Sequence, residues 1–203
     1  MASIFKKLFK VENKKDFITI ISGLPRSGTS MIMQMLEAGG IEIVTDNIRK
    51  ADKDNPRGYY EFEQVKKIKE DASWLDECQG KAVKIVSTFL YQLPSYKKYK
   101  IIFMRREMEE ILASQRVMLQ RLGTEGANVS KEKMAEKFER QLKNVDEWLA
   151  RQDNIDVLYI KYNDVIHDSH SHAVSVNRFL GGWLNIDKMV NVVEESLYRQ
   201  QKK

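Results

Sequence analysis

The chain has 203 residues, a single cysteine and a formal net charge of +5, enough length for one α/β domain with its own core and no means of closing an internal disulfide. Apolar and charged fractions of 42% and 31% exclude a fibrous or wholly disordered chain. No apolar run reaches the length of a membrane span and no secretory leader is visible, so a cytoplasmic protein without stable membrane insertion is expected. The positive excess suits a small anionic ligand as well as nucleic acid and does not by itself decide between them.

Residues 1–16 form a basic N-terminal extension in which Ile4, Phe5, Leu8 and Phe9 would share one face of a short helix. A membrane-surface anchor is one reading; a basic segment lying on the domain suits so short a stretch better. Residues 17–203 are expected to form a single domain. Phe17, Ile18, Ile20 and Ile21 make a β-branched apolar run, the pattern of a strand covered on both faces. Gly23, Pro25, Ser27 and Gly28 supply a tight loop, and a helix carrying Met31, Ile32, Met35 and Leu36 runs from Thr29 to a stop at Gly39 and Gly40. Further strands are predicted over 41–44, 82–87, 100–105 and 154–160, and helices over 63–78, 107–122, 131–152, 171–180 and 187–200. Strands separated by helices imply parallel pairing with right-handed crossovers. The expected fold class is therefore α/β, a central, mostly parallel sheet of about five strands flanked by helices.

Two stretches carry chemistry. In the first, Gly23 and Gly28 are spaced as in a phosphate-binding loop, and the following helix start points backbone N–H groups and a dipole at one small volume, which suits an anion. Thr29 and Ser30 stand where a nucleotide hydrolase carries Lys followed by Ser or Thr, and the cation sits inside the loop instead, at Arg26. In the second, Arg105 and Arg106 end the fourth predicted strand, and Ser114 follows eight residues after Arg106 on the next helix. A guanidinium and a hydroxyl two helical turns apart can grip one phosphate from two sides. Pairing of these arginines with Glu107, Glu109 and Glu110 is the plainer alternative.

SGLPRSGTS, with Arg26 as its cation, resembles the 5′-phosphosulfate loop of sulfotransferases that use 3′-phosphoadenosine-5′-phosphosulfate (PAPS). RREMEEILAS resembles the 3′-phosphate motif of the same family, with Arg106 and Ser114 at its arginine and serine. The resemblance implies a three-layer P-loop-like domain and transfer of sulfonate from PAPS to a hydroxyl or amine, with no metal. It places Gly23, Arg26, Ser27, Gly28, Thr29, Ser30, Arg106 and Ser114 at the nucleotide. A small molecule or a glycan is the acceptor it implies, with no nucleic-acid partner; nothing in the sequence indicates an oligomeric state.

For the chemical step Arg26 would stabilise charge on the leaving phosphate. Glu61, in NPRGYYEFE, is the candidate general base, against a plain reading as a solvated glutamate before a helix. Lys84, a charge in an apolar strand, would either face the site or mark a polar strand face. His167, His170 and His172 match no closed metal-ligand spacing and read as a solvated turn. Tyr59, Tyr60, Trp74 and Phe89 would stack on adenine or an acceptor, or fill the core. Two departures from the family stand out: no basic, glycine-rich segment near the carboxyl end, and Glu107-Met108 after the arginine. A small-molecule kinase and a non-catalytic nucleotide-binding protein remain as alternatives.

Overall fold

The computed structural model describes residues 16–46, 48–52, 55, 57–121, 123 and 130–194. Five parallel strands, β1 (Ile18–Gly23), β2 (Ile43–Val44), β3 (Ala82–Lys84), β4 (Tyr99–Arg105) and β5 (Ile155–Lys161), form one sheet in the order β2-β3-β1-β4-β5. The predicted parallel α/β sheet is thus the observed one. β1 lies at its centre, which is why its sequence is apolar at successive positions. Ile18 and Ile20 pack with Val83, Ile101 and Phe103 on one face, while Ile21 packs with Ile102, Met104 and Ile160 on the other. The alternation follows from the two-residue period of a strand.

Helices α1 (Thr29–Gly39), α4 (Tyr162–His167), α5 (Ser169–Phe179) and α6 (Ile186–Val190) cover the Ile21 face. Helix α3 (Lys131–Leu149) and three 3₁₀ segments cover the Ile20 face. Helix α2 (Met108–Arg121) stands beyond the carboxyl edge of the sheet, where Ile111 and Leu112 pack with Leu24 and Phe138. The chain leaves β1 toward β2 and β3 on one side and returns to β4 on the other, so the crevice beyond the end of β1 is the topological switch point, where ligands of open α/β sheets bind.

The helix predicted over 63–78 is instead two 3₁₀ segments, Glu63–Lys67 and Ser73–Cys78. Their buried residues, Val65 with Ile68 and Leu75 with Cys78, are three apart, the spacing that a three-residue turn places on one line. Between them the Asp71 carboxylate accepts from the Ser73 N–H at 2.8 Å, a local bond that competes with helix continuation. β2 and β3 are shorter than predicted, with only two and three residues in the ladder. The segment predicted as an extension at 1–16 lies, apart from Asp16, outside the described residues, as does the part of the last predicted helix from 195 onward. Among the described residues no helix is long and apolar enough to cross a membrane.

Candidate active site

The loop after β1 is built by two glycines and closed by a serine. Gly23 has φ 147° and lies so close to the paired strand that a Cβ there would stand 2.7 Å from the Met104 carbonyl oxygen. Gly28 has φ 95°, and a Cβ there would stand 2.4 Å from Cδ2 of the Tyr162 ring. Both positions therefore need glycine for conformation and for space. The buried Ser27 hydroxyl donates to the Leu24 carbonyl at 2.7 Å, and the Ser27 N–H donates to the same oxygen at 3.2 Å. Ser27 shapes the loop and does not line the cavity, unlike Gly23, Arg26, Gly28, Thr29 and Ser30. The N–H groups of Thr29 and Ser30 belong to the first turn of α1, where no intrahelical acceptor exists for them.

Among the described residues Arg26 is one of two non-glycine residues with positive φ, at 71°. It is held at both ends by the second motif. Its Nε donates to the Ser114 Oγ at 2.9 Å, and its carbonyl accepts from Arg106 Nη1 at 3.1 Å. The two stretches singled out in the sequence thus meet directly, across a cavity of about 350 Å³ that both line. Arg106 also donates from Nε to Glu110 Oε2 at 2.8 Å and lies over the Tyr162 ring at 4.3 Å. The two sequence alternatives for Arg106 are therefore compatible, since it pairs with Glu110 and lines the cavity as well. Arg105 does not line it: its guanidinium is ion-paired with Asp146 and lies against Phe103 and Tyr159. Arg105 is the last residue of β4 and Arg106 the first beyond it, and successive residues of an extended chain point to opposite sides, which separates the two arginines.

The opposite wall comes from the segment between β2 and the first 3₁₀ segment, and from the end of β3. Glu61 and Lys84 both line the cavity. Glu61 is not a lone solvated carboxylate, because its Oε1 is 2.9 Å from Arg49 Nη1 and 4.0 Å from Lys84 Nζ. The Lys84 amine donates to the carbonyl of Tyr59, which the positive φ of Tyr60 (52°) helps to aim. Arg49 also lies 3.4 Å over the Tyr59 ring, whose hydroxyl donates to Asp52 at 2.8 Å. Asn55 Nδ2 donates to the Ser30 hydroxyl at 2.9 Å, tying this wall to the first turn of α1.

Burial pushes the Lys84 amine down from 10.5 to about 8; Glu61 opposes that shift, and Arg49 and Arg26 add to it. The folded value lies below the unfolded one, so between about 8 and 10.5 the unfolded chain binds the extra proton. This group's contribution to stability therefore rises with pH across that window and is smallest below it. Amine acylation mapped by mass spectrometry should show Lys84 gaining reactivity around pH 8, whereas Lys66, whose amine Glu63 pushes up, requires higher pH. Lys84 reacting only in step with exposed lysines would contradict the assignment.

Of the aromatic candidates, Tyr59 lines the cavity, while Trp74 and Phe89 pack against the core on the Ile20 face and Trp74 meets Phe62 edge-on at 5.2 Å. Tyr60 donates to Glu37 at 2.7 Å. His167 ends α4 and His170 and His172 lie in the first turn of α5, so the stretch read as a solvated turn is helical on both sides of Asp168; among the described residues no His, Cys, Asp and Glu cluster able to hold a metal occurs. Arg49 and Tyr162 are contributors that sequence reasoning missed, and Glu110 was read only as an ion-pair partner of the arginines. Arg106, Glu110 and Ser114 recur every four residues, a stripe along one helix face that was readable; nothing local marks Arg49 or Tyr162.

A family model described as the sulfotransferase domain matches residues 16–203. The chain belongs to the sulfotransferase family. Its fold is similar to that of a sulfotransferase domain from the curacin biosynthetic pathway, with a TM-score of 0.55 at 13% identity over 91% of this chain and 80% of that one. It is also similar to a sulfotransferase from Alicyclobacillus acidocaldarius, with a TM-score of 0.51 at 16% identity over 89% and 87% of the two chains. Retinol dehydratase in complex with retinol and PAP gives 0.50 at 17% identity, over 88% of this chain and 64% of that one. No curated protein sequence matches the chain. At these identities the solved structures speak for the sulfotransferase fold, and the residues of the cavity must speak for the chemistry.

Proposed function

We propose that the chain transfers a sulfonate group from PAPS to a hydroxyl or amine of a small-molecule or glycan acceptor. The observation that carries this reading is the contact between the two anion-binding stretches, Arg26 Nε to Ser114 Oγ at 2.9 Å with Arg106 alongside, within one cavity. The donor set fits a nucleotide bearing two phosphates: two guanidiniums, the Ser114 hydroxyl and first-turn N–H groups, all suited to oxyanions. PAPS supplies the sulfonate and leaves as the 3′,5′-bisphosphate. In this reading Arg26 and the N–H groups of Gly28, Thr29 and Ser30 hold the 5′-phosphate and stabilise charge that builds on it as the sulfur–oxygen bond breaks. Arg106 and Ser114 hold the 3′-phosphate. Glu61 takes the acceptor's proton, and Lys84, beside it, faces the oxygens of the group in transit. Arg49 and Tyr59 complete the acceptor wall. The solved complex of retinol dehydratase with PAP has the same fold and agrees with the nucleotide assignment.

A kinase is disfavoured by a cation where a magnesium ligand is needed, Lys84 at the end of β3, and by Thr29 in the lysine position. Thermal unfolding separates the two. Adenosine 3′,5′-bisphosphate at a hundredfold excess over its Kd should raise Tm by about 5–10 °C, whereas ATP with magnesium should not. A shift with ATP and magnesium alone would replace the sulfotransferase reading by the kinase one. No shift with either would remove nucleotide binding altogether.

A further inference from the structure

Glu110 is a carboxylate with a side-chain exposure of 2%, buried beside the phosphate-binding residues. Taken alone it is an obstacle: a buried negative charge next to an anion site costs desolvation and repels the ligand. Its contacts explain its presence. Oε2 accepts from Arg106 Nε at 2.8 Å, and Oε1 accepts from Asn163 Nδ2 at 3.3 Å, so α4 fixes the carboxylate that in turn fixes the guanidinium.

We infer that Glu110 is a positioning residue that sets the plane of Arg106, and through it the preference for a nucleoside 3′,5′-bisphosphate over a 5′-monophosphate. The inference rests on the sulfotransferase reading given above. A guanidinium offers its donors only in its own plane, so its usefulness to a phosphate depends on the orientation of that plane. Glu110 at the Nε edge, the Arg26 carbonyl at Nη1 and the Tyr162 ring 4.3 Å beneath the face all bear on that plane. The Arg106 and Glu110 pair is close to neutral as a unit, so it contributes direction more than charge. Net attraction for the nucleotide then comes from Arg26 and the start of α1.

This separates two outcomes by sign. If charge alone mattered, Glu110→Gln would remove a repelling carboxylate and tighten the binding of every phosphate. If Glu110 positions Arg106, the substitution weakens one phosphate site selectively. Calorimetric titration of the full chain with adenosine 3′,5′-bisphosphate and with adenosine 5′-monophosphate reads the difference. For E110Q, bisphosphate affinity should fall by about 10-fold or more, the loss expected for one charge-assisted hydrogen bond, with monophosphate affinity within about 2-fold of the unsubstituted chain. Asn163→Ser, which removes the Asn163 amide that donates to Glu110 Oε1, should move the ratio in the same direction by less, and it decides the matter if E110Q does not fold. An unchanged or increased preference for the bisphosphate in the folded variant overturns the positioning role. Failure of the unsubstituted chain to prefer the bisphosphate is a different result, which overturns the nucleotide reading and this role with it.

Discussion

Arg26→Ala is expected to lower the rate of sulfonate transfer by about 10²–10³-fold, the range for removing one preorganised donor from developing negative charge. The basis is placement. Arg26 lies inside the glycine loop, its backbone in the left-handed region at φ 71°, with its carbonyl held by Arg106 and its Nε held by Ser114. A side chain fixed by a hydroxyl before ligand arrives needs little reorganisation when charge develops on the leaving phosphate. The substitution keeps a non-glycine residue at this position, so added backbone strain is small, and the loss falls on the lining of the cavity. The rate is read as adenosine 3′,5′-bisphosphate formed from PAPS with a panel of alcohols, phenols and amines. Affinity for the bisphosphate is measured separately and should fall much less than the rate. Full turnover in Arg26→Ala would remove Arg26 from the chemical step.

Gly28→Ala should be the most damaging single change to the fold of the site, lowering stability by about 2–4 kcal/mol, from left-handed strain together with overpacking. Its φ is 95° and the added Cβ would sit 2.4 Å from the Tyr162 ring, which is itself wedged beneath Arg106. For a chain of this size that corresponds to a fall in Tm of roughly 5–15 °C. Gly58 provides the comparison, since its φ of 92° is nearly the same and a Cβ there meets nothing within 4 Å. Gly58→Ala should therefore show only the backbone part, about 1–2 kcal/mol. In a Tyr162→Ala background Gly28→Ala should cost less than in the native chain, because the steric part has gone. Equal losses at Gly28 and Gly58 would mean that the ring gives way and the steric account is wrong.

Much of the fold was legible because it depends on near neighbours. The apolar run at Ile18, Ile20 and Ile21 marked a strand covered on both faces, and the helix predicted over 131–152 is observed as α3. The stretch over 63–78 misled because residues three apart fit an α-helix and a 3₁₀ turn alike, and the Asp71 to Ser73 bond that breaks it is a side-chain choice that periodicity cannot register. Ser27 could not be told from its neighbours: small hydroxyl residues in such a loop look alike in sequence, and only the packed structure shows that this side chain ties the loop to Leu24.

What the sequence determined by itself was chemistry and order along the chain: a glycine loop carrying Arg26, then an arginine and a serine two turns apart, separated by strands that must pair in parallel. What only the tertiary structure decided was partnership. With 34 basic and 29 acidic residues in the chain, no local pattern says which of them meet. The strand order β2-β3-β1-β4-β5 brings the ends of β3 and β4 to either side of the loop after β1, and that adjacency sets Lys84 and Glu61 opposite Arg26, and Tyr162 beneath Gly28 and Arg106. The reason is physical: backbone preferences act over a few residues, whereas ion pairs and ring contacts act through space, between positions that only the packed sheet makes neighbours.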